Sequence, residues 1–396
     1  MDDGTIGDGA MNDGDFMRSV LQRIATGPTM STDLPRQDAR RAMRLVLEGR
    51  ADEVQAGIFL IALRMKRESD EELAGVLEAL REGVQERPLA LDTLLCLADP
   101  YDGYVRGTPV SPFLPAVLAA CGVPTLSHGV AAMGPKFGAT HAQVLTAAGA
   151  TLPDAVDEAG ARLEDPSCGW AYLDQRTISA ELAALEPLRT RIVKRPCLTT
   201  LEVALCPFRP RGTRHLLTGF VHKAYPPVYA MLARVGEFDG AVIVRGVEGG
   251  VVPSLAQASR AYASGPDGVP VEFALEPGAL GIAQTERAVP LPALDAPIGS
   301  GVRPVGRPAD DALARIATEA ARTGLSALAG EPGAARDSLV YAGAVALHGL
   351  GRVDGLAAGA EVVRAALDDG RAAARFAAGC PEWPGRQSQP ERASSL

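Results

Sequence analysis

Two glycine-punctuated loops hold most of the residues whose types and spacing suit chemistry. They are ADPYDGYVRGTPVSPF from Ala98 to Phe113 and SHGVAAMGPKFGATHAQVL from Ser127 to Leu145. Each follows a short apolar run and leads into an apolar helical segment. Gly103, Gly107, Gly129, Gly134 and Gly138 free backbone N–H groups to face an anion, and a helix N-terminus favours negative charge at such a place. Lys136 adds a formal positive charge to the second loop, which also carries His128 and His141. The chemistry that suits this pair of loops is the holding of a phosphate or pyrophosphate. The same glycines also serve as plain tight-turn residues, so loop composition alone leaves both roles open. His141, just past Gly138, either touches a ligand or packs. His215 in a predicted strand, and His222, Tyr225 and Tyr229 around a helix start, suit ordinary packing or hydrogen bonding.

The elements that must position these loops change character once along the chain. From Phe16 to about Gly83 the apolar spacing is helical. Phe16, Val20 and Ile24 form one stripe with Met17 and Leu21 beside it, and Gly27-Pro28 ends that helix; Ala39, Met43, Val46 and Leu47 form a second, stopping at Gly49. Val54, Ile58, Ile61 and Met65 form a third, thickened by Phe59 and Leu60, and Ser69 with Glu72 makes a capping box that opens a fourth helix toward Leu80.

After Pro88, short apolar runs alternate with Ala-rich helical segments. Leu94 to Ala98, Val123 to Ser127, His215 to Phe220, Ala241 to Arg245 and Val271 to Leu275 are the predicted strands. Helices between them imply a mostly parallel central sheet, with chemistry in the loops at the strands' carboxyl ends. The fold class is therefore α/β: a small N-terminal helical domain over residues 16–87 and a larger α/β domain over 88–381. Residues 168–193 read as helical and are expected to pack back on the first domain. The cleft between the domains is the default ligand site. Residues 1–15, with almost no apolar content, and the polar tail 382–396 are expected to be disordered.

The 396 residues are 47% hydrophobic, the N-terminus is acidic and Gly-rich, and no apolar stretch approaches the length that spans a bilayer; a soluble cytoplasmic protein is expected. A net charge of −9 weighs against a generic binder of nucleic acid. The six scattered cysteines form no CxxC pair and read as reduced structural thiols.

Three stretches resemble anthranilate phosphoribosyltransferase and its relatives in glycosyltransferase family 3, in the same order and at similar spacing. They are FLIALRMKRESDEEL with GVLEALREG, the loop SHGVAAMGPKFG, and GEPGAARDSLVYAGAVAL, and the likeness runs from about residue 17 to 375. The resemblance implies a nucleoside phosphorylase/phosphoribosyltransferase-like fold in which phosphoribosyl pyrophosphate binds between the domains. An aromatic amine or other nitrogen acceptor, anthranilate or a related compound, attacks C1 of the ribose and pyrophosphate leaves. Oriented donors, and usually Mg2+, would stabilise the leaving charge. A homodimer through the helical domain is implied as well.

Carried over by position, the family's GTGGDG and NIST correspond to DPYDGYVRGTPVS, which gives Asp102, Gly103, Thr108 and Ser111 as ligand-loop residues, with Tyr101 replacing a glycine. KHGN and SSKSG correspond to SHGV and GPKFG, which adds His128, Gly129, Lys136 and Gly138, with Ser127 and Val130 in place of the lysine and asparagine. The resemblance assigns acceptor binding to Arg189 in LRTRIVKRP, where a guanidinium fork would suit a carboxylate, with Arg195 at the later arginine and His141 nearby. The family's NLLGPLxNP becomes TTLEVALCPFRP. The Asp-Glu pair that holds Mg2+ after a HGxDG turn is replaced in RGVEGGVVPS by Val251 and Val252, which cannot ligate a hard cation. Glu248 and Asp239 are the carboxylates left to substitute, or else plain turn residues. RGVEGG and YDGYVRGTP look more like a divergent branch of the family, some of whose members bind nucleic acid. In such a protein Arg106, Lys136, Arg189, Arg191, Lys194, Arg195, Arg209, Arg211 and Arg214 would line a basic groove.

Overall fold

The computed structural model describes residues 11–27, 29–294 and 310–380. Four helices open the chain: α1 (Asp13–Ile24), α2 (Arg36–Leu47), α3 (Glu53–Lys66) and α4 (Asp70–Glu82). Asn12 caps α1 by accepting from the Asp15 N–H, and Asp13 and Asp15 lie in the first turn, where acidic groups complement the helix dipole. The acidic stretch expected to be disordered through residue 15 is thus helical from Asp13; residues 1–10 and Pro28 lie outside the described residues. The Ser69 and Glu72 capping box forms at α4, and the buried Glu72 carboxylate also accepts from the Leu34 N–H at 2.9 Å and Lys66 Nζ at 2.7 Å.

The stripe expected to be buried on α3 faces outward. Val54 is 70% and Met65 75% exposed, whereas Ala56, Phe59, Leu60 and Leu63 are buried. Apolar residues run nearly all the way round α3, so two stripes compete, and packing against α1 selects the one that carries Phe59.

The α/β part contains strands β1 (Arg87–Leu89), β2 (Thr93–Ala98), β3 (Thr125–Gly129), β4 (Trp170–Asp174), β5 (Phe208–Pro210), β6 (Thr213–Gly219), β7 (Gly240–Val244), β8 (Ser259–Ser264) and β9 (Val271–Leu275). Seven form one sheet in the order β4-β3-β2-β6-β7-β8-β9, while β1 and β5 make a separate parallel pair. The five strands from β4 to β7 run parallel, and β8 and β9 continue antiparallel at one edge. The strands predicted at 94–98, 123–127, 215–220, 241–245 and 271–275 all exist, with ends shifted by up to two residues. Residues 168–193, read as helical, instead begin with β4, whose WAYLD run is too short to separate from a buried helical turn by periodicity. Helices α8 (Gln175–Ile178), α9 (Ala180–Ala183) and α10 (Glu186–Ile192) follow it.

Alternation along β2 sends Leu94, Cys96 and Ala98 into the core shared with the helical domain and Leu95 and Leu97 into the opposite layer. The helical-domain side also receives α7 (Val156–Glu164), α11 (Leu198–Leu201) and α12 (Tyr225–Val235). The other layer is built from α5 (Leu114–Ala120), α6 (His141–Ala147), α13 (Asp310–Leu328), α14 (Ala334–Gly349), α15 (Leu356–Asp368) and α16 (Arg371–Ala378). Several contacts join the domains. Arg64 donates to the Tyr225 hydroxyl at 2.5 Å, where Tyr225 and Tyr229 rings pack 5.7 Å apart, and Arg44 pairs with Glu181 at 2.9 Å. Leu188 of α10 lies against Gly57 of α3. Tyr225 and Tyr229 thus belong to a packed seam, and His222 lies exposed at its edge with its ring 6.3 Å from that of Tyr225.

Candidate active site at the carboxyl ends of the parallel strands

The loops after β2 and β3 are clamped together. The Tyr104 N–H donates to the Ala139 carbonyl at 2.9 Å, the Ala139 N–H returns to Tyr104 at 2.8 Å, and the Gly138 N–H donates to the Asp102 carbonyl at 2.7 Å. A Cβ on Gly103, whose φ is +72°, would lie 2.5 Å from the Gly138 backbone, so these two glycines serve the clamp. The Gly138 amide is used inside the clamp and the Gly103 amide donates to the Pro100 carbonyl at 2.9 Å, so neither is turned toward a ligand. Thr108 is also tied inward: its hydroxyl donates to the Pro290 carbonyl at 2.6 Å. Gly129 ends β3 beneath the Tyr172 hydroxyl.

Asp99, at the carboxyl end of β2, organises the floor. Its carboxylate accepts from Tyr104 at 2.6 Å, His141 Nε2 at 2.9 Å, the Val251 N–H at 2.9 Å and the Ser111 hydroxyl. Burial pushes this carboxyl's pKa up, but His141, Ser111 and Tyr104 together outweigh burial and hold it below the usual value. Ser111 and His141 therefore support a buried carboxylate. Sequence reasoning missed Asp99, although an aspartate at the end of a strand, in LADP, was the available signal.

Above this floor one set of charges converges. Lys136 Nζ lies 3.1 Å from Glu248 and 3.7 Å from Asp102, and Arg195 Nε donates to Asp102 at 2.9 Å. Glu248 also accepts the backbone N–H groups of Arg106 at 2.7 Å and Val105 at 3.2 Å. Two consecutive amides and an ammonium thus surround one carboxylate, which is the donor set that an oxyanion of a phosphate would take. Glu248 holds this place from a turn with φ +54°, and its side chain is only 5% exposed, so it is neither a solvated turn residue nor an open metal ligand.

The cation implied by the family resemblance does not fit these residues. Val251 is buried in the apolar core, Val252 packs against it, and the oxygens of Glu248 already face donors. Asp239 is committed to the Arg214 N–H at 2.8 Å. Among the described residues no group of three His, Cys, Asp or Glu side chains is placed to share a metal ion. Lys136 stands between Asp102 and Glu248, where two carboxylates would otherwise face a divalent cation.

The residues expected on the acceptor side are closed in a second cluster. Arg189 is 3% exposed and makes a two-pronged pair with Glu202, Nη1–Oε2 2.7 Å and Nη2–Oε1 2.9 Å. Gln175 donates to the same carboxylate at 3.0 Å. Tyr101 turns inward onto Val130 and Met133, with its hydroxyl against His128 Nδ1. Burial, with a smaller contribution from His141, lowers the His128 pKa to about 3, so His128 is neutral and supplies no positive charge to an anion.

The arginines of the basic run are paired as well. Besides Arg189 and Arg195, Arg191 pairs with Glu53, Arg209 with Glu86 and Glu237, Arg211 with Asp92, and Arg214 with Glu86. These arginines point to several different neighbours, which weakens the electrostatic basis expected for nucleic-acid binding by this run.

A family model described as the glycosyl transferase family helical bundle domain matches residues 18–83. An anthranilate phosphoribosyltransferase of Sphingopyxis alaskensis is 30% identical over 353 residues, covering 89% of this chain and 97% of that protein. The chain belongs to the anthranilate phosphoribosyltransferase family. That family is one of enzymes, pentosyltransferases. Two solved members share the fold. The anthranilate phosphoribosyltransferase of Thermus thermophilus superposes with a TM-score of 0.69 at 21% identity, covering 93% of this chain and 98% of its own. The Saccharomyces cerevisiae anthranilate phosphoribosyltransferase in complex with PRPP and Mg gives 0.71 at 17% identity, covering 92% and 96%. Among the described residues no helix is long and apolar enough to cross a membrane.

In register with the family run NLLGPLxNP, the glycine position falls on Glu202 of TTLEVALCP. The segment that closes on Arg189 is therefore one place where this chain departs from that motif.

Proposed function

We propose that the protein transfers the 5-phosphoribosyl group from phosphoribosyl pyrophosphate to a nitrogen acceptor and releases pyrophosphate, as a soluble cytoplasmic enzyme. The observation that carries this reading is the ring of donors around Glu248: the Val105 and Arg106 amides and the Lys136 ammonium, at the carboxyl ends of β2, β3 and β7. The arriving diphosphate displaces Glu248 from that ring and takes its donors. Lys136 and the amides then face the charge that grows on the leaving group as the C1–oxygen bond breaks, which is where oriented donors lower a barrier. Arg195 and Asp102 hold the loop edge, and the Asp99 cluster fixes the floor beneath it. The acceptor nitrogen approaches C1 from the side of Arg189 and His128. Relatives that carry anthranilate phosphoribosyltransferase names support the reaction class.

Calorimetric titration with phosphoribosyl pyrophosphate tests the reading, with release of pyrophosphate as the turnover readout. Binding is expected in wild type, and Lys136→Met is expected to weaken it roughly tenfold to a hundredfold, the scale of one charge-assisted contact. Absence of heat in wild type, at any magnesium concentration, overturns the reading. Because the protein's own carboxylates face donors, chelation with EDTA is expected to change the wild-type Kd by no more than about twofold, within what one lost weak contact would produce. A loss of roughly tenfold or more would show that magnesium is an obligate part of the site.

The exposed Val54, Ile58 and Met65 face of α3 supplies the apolar surface on which we base a homodimer through the helical domain.

A further inference from the structure

We infer that Glu202 makes this enzyme select an uncharged acceptor, an aromatic amine or other nitrogen nucleophile that carries no carboxylate. The inference rests on the phosphoribosyl-transfer reading above and names the substrate class of that same site.

Arg189 is the guanidinium fork that the transfer reading places beside the acceptor, and both of its terminal nitrogens are used. Glu202 takes Nη1 and Nη2 through separate oxygens, at 2.7 and 2.9 Å, which is the geometry an acidic substrate would need. Both partners are buried, at 3% and 0% exposure. The pair is neutral as a unit and Gln175 fastens Glu202 from a second side. A substrate carboxylate entering here has to expel a tethered carboxylate that is already aligned, or else bring a second negative charge against it away from water; either course costs more than the contact returns.

What the cluster leaves available is uncharged hydrogen-bonding capacity. Arg189 Nε, Gln175 Oε1 and His128 Nε2 are buried without a hydrogen-bond partner. Arg189 and Gln175 belong to the ion-pair group, and His128 joins it through Tyr101, whose hydroxyl lies 3.4 Å from the Glu202 carbonyl. A donor, an acceptor and a neutral imidazole suit a polar group without net charge. The attacking nitrogen must itself be unprotonated to offer its lone pair, so with no carboxylate beside it the reacting end of the acceptor is uncharged.

The test compares two probes of nearly equal shape, anthranilate and 2-aminobenzamide, titrated into wild type, Glu202→Gly, Glu202→Gln and the double variant Arg189→Leu/Glu202→Gly. Wild type is expected to bind anthranilate at least roughly tenfold more weakly than the amide, the scale of one charge-assisted contact. Glu202→Gly is expected to gain at least about tenfold in anthranilate affinity, Glu202→Gln a smaller part of it, and the double variant none. That gain supports the inference even if wild type holds neither probe measurably. Anthranilate bound by wild type as tightly as the amide overturns it, and so does a folded Glu202→Gly protein with no gain. Should both single variants fail to fold, the wild-type ratio decides, with equal or undetectable binding of the two probes counting against the inference. Phosphoribosyl pyrophosphate titrated into the same samples keeps the two readings apart: its failure to bind overturns the transfer reaction and leaves the anthranilate comparison to be read by itself.

Discussion

Arg189→Ala is expected to lower the free energy of unfolding by about 3–5 kcal/mol, the cost of leaving one member of a buried ion pair without the other. Glu202, fully buried in the wild type, would keep only Gln175 as a donor and would lack a counter-charge. Urea unfolding of the full chain followed by circular dichroism measures this. The double variant Arg189→Met/Glu202→Leu removes both charges at similar volume and is expected to lie within about 1 kcal/mol of wild type or above it, because the desolvation cost of the pair disappears with its attraction. A single variant that unfolds at the same urea concentration as wild type would show that water reaches the pair. If the single change is costly and the double change is not, the pair as a unit adds little to stability.

The second large effect is expected from pH. His128 is neutral in the folded protein because burial lowers its pKa to about 3, whereas an exposed histidine titrates near 6.5. The unfolded chain therefore binds a proton below about pH 6.5 that the folded chain refuses until about pH 3. The sign follows: this contribution is fully present above about 6.5 and is lost progressively as the pH falls toward 3, with a total of about 4–5 kcal/mol at 1.36 kcal/mol per unit. His128→Asn removes the titrating group, so unfolding free energy plotted against pH from about 6 to 4 is expected to lose about one proton's worth of slope, roughly 1.4 kcal/mol per unit. The slope is the useful readout because any packing defect introduced by asparagine shifts the whole curve and leaves its steepness alone. Asp99 adds a separate loss at lower pH. Its folded pKa lies below that of an exposed aspartate, so its stabilisation is present above about pH 4 and disappears as the pH falls through the lowered value. Identical slopes for wild type and His128→Asn would mean that His128 is hydrated in solution.

The elements of the fold were largely legible in the chain. The run of Phe16, Val20 and Ile24, the Ser69 to Glu72 box and the apolar strands ending at Ala98 and Val244 are local patterns, and local patterns survive folding because each residue is already committed to a face. Where two faces compete, as on α3, composition cannot choose, and contact with α1 does. The β4 strand was hidden for a related reason: so short an apolar run carries no period. Its pairing with β3 comes from a long-range ladder and not from its own preference.

The candidate site divides in the same way. His128, Lys136 and Gly138 could be named from one loop, since glycine spacing and charge type are local properties, and Asp102 and Glu248 through the family resemblance. Their partners could not. Lys136 meets Glu248 across 112 positions of sequence, Arg195 meets Asp102 across 93, and neither pairing leaves a trace in spacing. The neutral state of His128 likewise depends on what surrounds it from β3, the Tyr101 loop and α6. By itself the sequence determined that this chain makes a helical domain on an α/β domain of a phosphoribosyltransferase family, and that the usual metal carboxylates are valines. Only the tertiary structure decided that Glu248 fills the anion ring and Glu202 fills the guanidinium fork. The reason is physical: a charge is read from one residue, but whether it is free or neutralised depends on which distant charge the fold brings within about 3 Å, where the interaction is strong enough to matter.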